Sequence, residues 1–350
     1  MKAAHTTIQR ISAAIALISN FVLILLIKCK SHRKVGKYKY LMIYISFFEI
    51  LYAILDALTV PDIYSKDSAF LVVIQAEQAL VPSSVILYAD VLFCVFFGIS
   101  MAIFAVHFIY RYLVVTQNSY TKMHETRIIV GLIVFTMIFG VFWYWVAYFF
   151  LSPFEEADQF LYENFLEKHS INVSEVTYIG PLFWPKGENG DEYLYMRSFL
   201  GIVIMTTAIF ISFFAIVLFG VKCYQQTKAL VAQTSQSASF AAVQTQLFYA
   251  LVFQTLIPVV LMHIPASIGF IASFFNISCE PLGIIPSLTI CLYPTLDPLP
   301  NFFIIKSYRD AIKNFFRNIK RKVLCRGNRV GEEVARSEAV SNVSRTSANA

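Results

Sequence analysis

Seven apolar blocks, residues 8–27, 40–60, 83–109, 128–150, 198–221, 244–271 and 284–305, leave this chain little choice of fold. A hydrocarbon core about 30 Å thick is crossed by about 20 helical residues at 1.5 Å of rise each. Within lipid, only helices and closed barrels satisfy their own backbone. The blocks therefore predict an all-α membrane protein, a seven-transmembrane helix bundle occupying residues 1–305. Composition points the same way: 57% of residues are hydrophobic and 14% charged, against roughly 25% charged in soluble domains. The first block is longer than the apolar region of a signal peptide, and the KCKSHRK that follows it offers no small-residue cleavage site. It is expected to stay as a helix.

Orientation follows from the basic residues, because short loops rich in Lys and Arg stay in the cytoplasm. With the N-terminus outside, the inner segments 28–39, 110–127, 222–243 and 306–350 hold six, three, two and eleven basic residues, 22 of the 28. The acids run the other way, with nine of them in the 151–197 loop. The net charge of +6 thus reflects topology and an anionic inner leaflet, and implies membrane lipid rather than nucleic acid as a partner. The sequons at Asn172 and Asn276 then fall outside and are expected to carry glycans, whereas the one at Asn342 falls inside.

After the seventh block, residues 306–322 form a basic stretch with Ala311, Ile312, Phe315, Phe316 and Ile319 at amphipathic spacing. This predicts a short interfacial helix. Cys325 follows it and is a palmitoylation candidate, the alternative being an unmodified thiol. Residues 323–350 are expected to be a disordered cytoplasmic tail, since 334–350 is short of bulky apolar side chains and carries many hydroxyls. Cys279 is the one cysteine expected outside, so no extracellular disulfide is available.

The inner end of the seventh block, from residue 293 on, contains Asp297 and three prolines, Pro294, Pro298 and Pro300. Proline deletes a backbone donor, and a membrane helix tolerates that where neighbouring protein or water satisfies the freed carbonyl. This end of the helix is expected to face the bundle, as a bend used in signalling or as a fixed kink. Glu49 lies ten residues in from Lys39 and Asp297 nine in from Lys306, which puts both roughly 14 Å from the inner face. They either share a proton or cation, or are satisfied separately.

In the third block, Asp90, Phe93, Cys94, Phe97, Met101, Phe104 and Phe108 follow a helical stripe towards Arg111. The stripe is a packing face whose outer third is expected to line a ligand pocket with His263 and Thr289. Arg111, flanked by Tyr110 and Tyr112, is expected at the inner mouth, as a G-protein contact or as a headgroup anchor.

The stretches GKYKYLMIYISFFEILYAILD (36–56), HFIYRYLVV (107–115), QLFYALVFQTLIPVVLMHIP (246–265) and YPTLDPLPNFFIIKSYR (293–309) resemble nematode serpentine chemoreceptors of the Str class. The resemblance implies a chemosensory G-protein-coupled receptor for an environmental small molecule. It implies a plasma-membrane location in the cilium of a sensory neuron and a heterotrimeric G protein as partner. Read from the residues rather than from the resemblance, Glu49, Tyr110, Arg111, Tyr112, Asp297 and Pro298 are the candidates for coupling and activation. Compared with rhodopsin-like receptors, no acid precedes Arg111, Asp297-Pro298 resembles their Asn-Pro, and Asn301 stands where they have tyrosine. The competing class is a seven-helix ligand-gated channel of insect odorant-receptor type, whose N-terminus is inside; the charge split opposes it. No protease, metal, phosphate-loop or transporter motif is present, so no enzyme activity, metal or cofactor is expected.

Overall fold

The computed structural model describes residues 2–117, 119–166, 176–187, 190–232, 238–278 and 281–321. Seven of its helices are long and apolar enough to cross a membrane: Ala4–Lys30, Tyr38–Thr59, Ser83–Val115, Thr121–Leu151, Met196–Ala232, Ala238–Phe274 and Pro281–Ile304. These are spans 1 to 7. Several continue well past the apolar blocks, because an established helix propagates cheaply into polar residues at the membrane edge. Span 3 is the central element and the most buried, packing on spans 2, 4, 5 and 6. Lipid-facing positions stay apolar on the outside, as with Phe210 and Phe214 of span 5.

A three-stranded antiparallel sheet sits at the end the charge pattern assigns to the outside. Strands β1 (Asp62–Lys66) and β2 (Ala69–Gln75) form a hairpin, and β3 (Val176–Ile179) pairs with the far side of β2. No apolar block of spanning length covers these residues, so hydrophobic length alone predicts loop here. AFLVVIQ is rich in β-branched residues but far too short to span a bilayer, and all seven of its residues are buried. Asp67 makes the hairpin turn at φ 48°, a left-handed conformation that Asp tolerates.

The sheet is tied down as a cap. Ile63 N donates to Ser287 Oγ of span 7 at 2.7 Å, and Ser273 Oγ of span 6 donates to the Ala69 carbonyl at 3.0 Å. Gly180, at φ 150°, crosses so close to β2 that a Cβ there would lie 2.3 Å from the Phe70 carbonyl oxygen. At Gly269 of span 6 the Phe70 ring occupies the place a side chain would take, 2.2 Å from an ideal Cβ.

Two spans are irregular. Span 6 opens into a π-turn over Val259–His263, between Pro258 and Pro265. Each proline removes a donor, and the wider turn reshuffles the freed carbonyls. Span 7 is helical over Pro281–Leu296, turns at Asp297-Pro298, and resumes over Leu299–Ile304. After a break at Ile305 the chain is helical again over 306–321, with Phe315, Phe316 and Ile319 exposed. Asn172, Cys325 and the whole of the 323–350 tail lie outside the described residues; Asn276 is exposed at φ 57°.

Candidate functional site: an outer cavity and an inner latch

Beneath the sheet lies a cavity of about 470 Å³, inside the usual range of small-molecule pockets, about 300–1,000 Å³. Phe93, Cys94, Phe97 and Met101 of span 3 form one wall and Trp143 of span 4 another. Met205 and Phe213 come from span 5, His263 and Phe270 from span 6, and Phe70 and Val72 of β2 make the roof. No lining residue is charged. Phe93, Phe97 and His263 of the sequence-derived pocket therefore meet here. Asp90 and Thr289, expected with them, lie outside the lining. Thr289 turns back on its own helix, donating to the Ile285 carbonyl at 2.9 Å. Asp90 is fully buried beside Cys94, and neither carboxyl oxygen has a hydrogen-bond partner among the described residues. Helical spacing gave the stripe but not which of its ends the cavity would reach.

His263 is the cavity's polar anchor. Ser100 Oγ donates to the Phe97 carbonyl at 2.7 Å and lies 3.1 Å from His263 Nε2. A hydroxyl has one proton, so with that proton on the carbonyl the imidazole Nε2 is the donor and Nδ1 is left an acceptor. The His263 ring also packs on Phe97, centroids 4.5 Å apart.

Midway down the bundle, spans 1, 2, 6 and 7 converge. Asn20 Nδ2 donates to the Pro294 carbonyl at 3.0 Å, the acceptor left open because Pro298 has no N–H. Ser12 Oγ donates to the Cys291 carbonyl at 2.7 Å. Span 1 thus supplies, through Asn20, the donor that Pro298 removes where span 7 breaks within the membrane. Gln254 Nε2 of span 6 donates to Asp297 Oδ2 at 2.6 Å. The carboxyl groups of Glu49 and Asp297 adjoin, with Asn20 beside Glu49. Among the described residues, no hydrogen-bond donor reaches either Glu49 oxygen or Asp297 Oδ1. Two carboxylates have no proton to give one another, and a single shared proton turns their contact into a hydrogen bond.

At the inner end, three successive side chains hold three different spans. Tyr110 donates to Glu125 of span 4 at 2.6 Å, and Tyr112 packs on Phe219 of span 5 at 5.7 Å. Arg111 reaches span 6, donating to Gln244 Oε1 at 2.5 Å and to the Gln244 carbonyl at 2.6 Å. Its guanidinium also lies over the Tyr38 ring, 5.3 Å from the centroid. Gln244 Nε2 donates onward to the Lys34 carbonyl in the first inner loop at 3.3 Å. Either expected role, G-protein contact or headgroup anchor, needs an accessible guanidinium. Arg111 is 1% exposed instead, latched within the bundle. Searching for a neighbouring acid could not find Gln244, a neutral residue 133 positions away.

Residues 5–313 match the family described as Serpentine type 7TM GPCR chemoreceptor Str. The chain belongs to the Str family of chemoreceptors. It is 34% identical over 310 residues to the G-protein coupled receptor str-217 of Caenorhabditis elegans, covering 88% of this chain and 89% of that one. It is also 29% identical to the serpentine receptor class r-10 of the same organism, over 87% and 88% of the two chains. The crystal structure of squid rhodopsin superposes with a TM-score of 0.59 at 13% identity, covering 91% of this chain and 87% of that one, and so shares the fold. This Str receptor is therefore a seven-helix integral membrane protein of the chemosensory G-protein-coupled class, and the channel alternative is not favoured. Its relatives are receptors, not enzymes.

Proposed function

We propose that an environmental small molecule binds in the cavity beneath the sheet and that its binding releases the Arg111–Gln244 latch to expose a G-protein site. One observation carries this reading. Span 6 supplies both His263 to the cavity and Gln244 to the latch, with Pro258 and a π-turn between them. The two residues are 19 apart in sequence, about 28 Å along a helix. A ligand that displaces His263 from Ser100 acts on the short arm of a hinged helix whose long arm holds Arg111. Once freed, the guanidinium offers its planar donor fork to carbonyls at the end of a partner helix.

The same reading puts the protein in the plasma membrane of a sensory cilium, glycosylated at Asn172 and Asn276. The 306–321 helix lies on anionic inner-leaflet lipid, and Cys325 is acylated. Expression with a promiscuous G protein, followed by an odorant screen read as calcium release, tests it. His263→Ala and Phe97→Ala are expected to lose the response at normal surface level. A response that survives both substitutions places the ligand elsewhere.

A further inference from the structure

The cavity is shut towards the outer water and open towards lipid. Its roof is the sheet, with β2 wholly buried and the Phe70 ring packed on Phe270 at 4.5 Å. Trp184 Nε1 donates to the Phe274 carbonyl at 2.8 Å and fastens the second outer loop over the top of span 6. On the side, the lining includes residues whose faces look outwards: Phe210 on span 5, 67% exposed, and Ile268 on span 6, 52% exposed. Both residues face the cavity on one side and lipid on the other, and the cavity is not fully enclosed, so its opening lies beside them. Ring contacts pin spans 5 and 6 at both ends of this opening, Phe199 on Phe274 at the outer end and Tyr224 on Phe248 at the inner end. The gap lies between, where span 6 is thrown off line by its π-turn.

We infer that the ligand enters sideways from the outer leaflet, between spans 5 and 6 past Phe210 and Ile268, and is an uncharged, lipid-partitioning molecule with an apolar body and a hydrogen-bond donor for His263. This rests on the cavity being the ligand site. An ion has no counter-charge in the lining and has to cross hydrocarbon to arrive. A hydroxyl donor suits Nδ1, the acceptor that the Ser100 pairing leaves on the imidazole.

Cys94, on the cavity wall, reports access without any agonist. The intact receptor in membranes is treated with methyl methanethiosulfonate or with its trimethylammonium-ethyl analogue. In each case the thiolate attacks the thiosulfonate sulfur, forming a mixed disulfide and releasing methanesulfinate. Modification of the Cys94 peptide is followed by mass spectrometry. The uncharged reagent is expected to label Cys94 at least about a hundredfold faster than the charged one, the penalty for taking a charge through hydrocarbon. The double substitution Phe210→Trp, Ile268→Trp, at lipid-facing positions that have room for bulk, slows the uncharged reagent several-fold. Ile268→Ala speeds it. Labelling of exposed Cys29 by the uncharged reagent stays unchanged in all variants. Equal rates for the two reagents, no labelling of Cys94 by either, or rates indifferent to both portal variants each overturn the lateral route. None of these results touches signalling, so they leave the ligand-site reading to its own test.

Discussion

Arg111 and Gln244 are joined twice, through the Gln244 side-chain oxygen and its main-chain carbonyl, by the two terminal nitrogens of one guanidinium. The pair fastens the central span to the inner end of span 6 with no carboxylate in the contact. Gln244→Leu removes the side-chain acceptor and leaves part of a buried charge unsatisfied, at a cost of about 1–3 kcal/mol. Basal nucleotide exchange on the G protein is expected to rise several-fold while surface level falls modestly. Basal exchange equal to wild type would rule out the latch.

Arg111→Lys separates latch and coupling from simple anchoring. An ammonium keeps the charge but is a point donor on a flexible stem, without the planar fork that spans both Gln244 oxygens. The expected outcome is a normal amount of receptor at the surface with a large loss of ligand-evoked signal. A headgroup anchor alone predicts no change in either measurement.

Asn20 completes the hydrogen bonding of span 7. Asn20→Leu is nearly the same size but leaves the Pro294 carbonyl without its donor, which costs about 1–3 kcal/mol. Purified receptor in detergent is expected to melt several degrees lower. Changing the half-buried Ser19 to Ala, one residue away but bonded only to its own helix, is expected to leave the melting temperature alone.

Glu49 and Asp297 adjoin, so amide substitutions at the two are expected to be non-additive. Either single change alters signalling, and the double change costs less than the sum of the two. A double-mutant cycle on maximal response measures this directly, and a coupling of zero would show the carboxyls to be energetically independent.

The charge pattern predicts that an N-terminal epitope is accessible on unpermeabilised cells, and that a glycosidase-sensitive mobility is abolished by Asn172→Gln together with Asn276→Gln. At Asn276 the sequon is already structured: Ser278 Oγ donates to Asp67 Oδ1 at 2.5 Å. Glycan addition is therefore expected to precede docking of the hairpin, and Asp67→Ala to raise occupancy at Asn276. Staining that requires permeabilised cells would reverse the topology.

The number of spans, their order and their expected orientation were legible in the residues, because each depends on local quantities: the length of an apolar run and the charge of the loop beside it. The depth match of Glu49 and Asp297 was legible too, since helical rise turns sequence position into depth. Contacts between helices were not. A helix displays its side chains around a full circle, and sequence alone leaves open which neighbour each direction meets. Gln244, Gln254 and Asn20 are neutral polar residues within apolar blocks, and nothing in the sequence marks them as partners of Arg111, Asp297 and Pro294. Asp90 showed the converse, sharing a helical stripe with Phe93 and Phe97 yet lying outside the cavity they line. The sheet escaped notice because its pairing joins residues 69–75 to residues 176–179, and such partners meet only after the spans between them have packed. Hydrophobic length made this chain a seven-helix membrane protein; the rotation of each helix about its axis, fixed by packing, decided which polar groups meet.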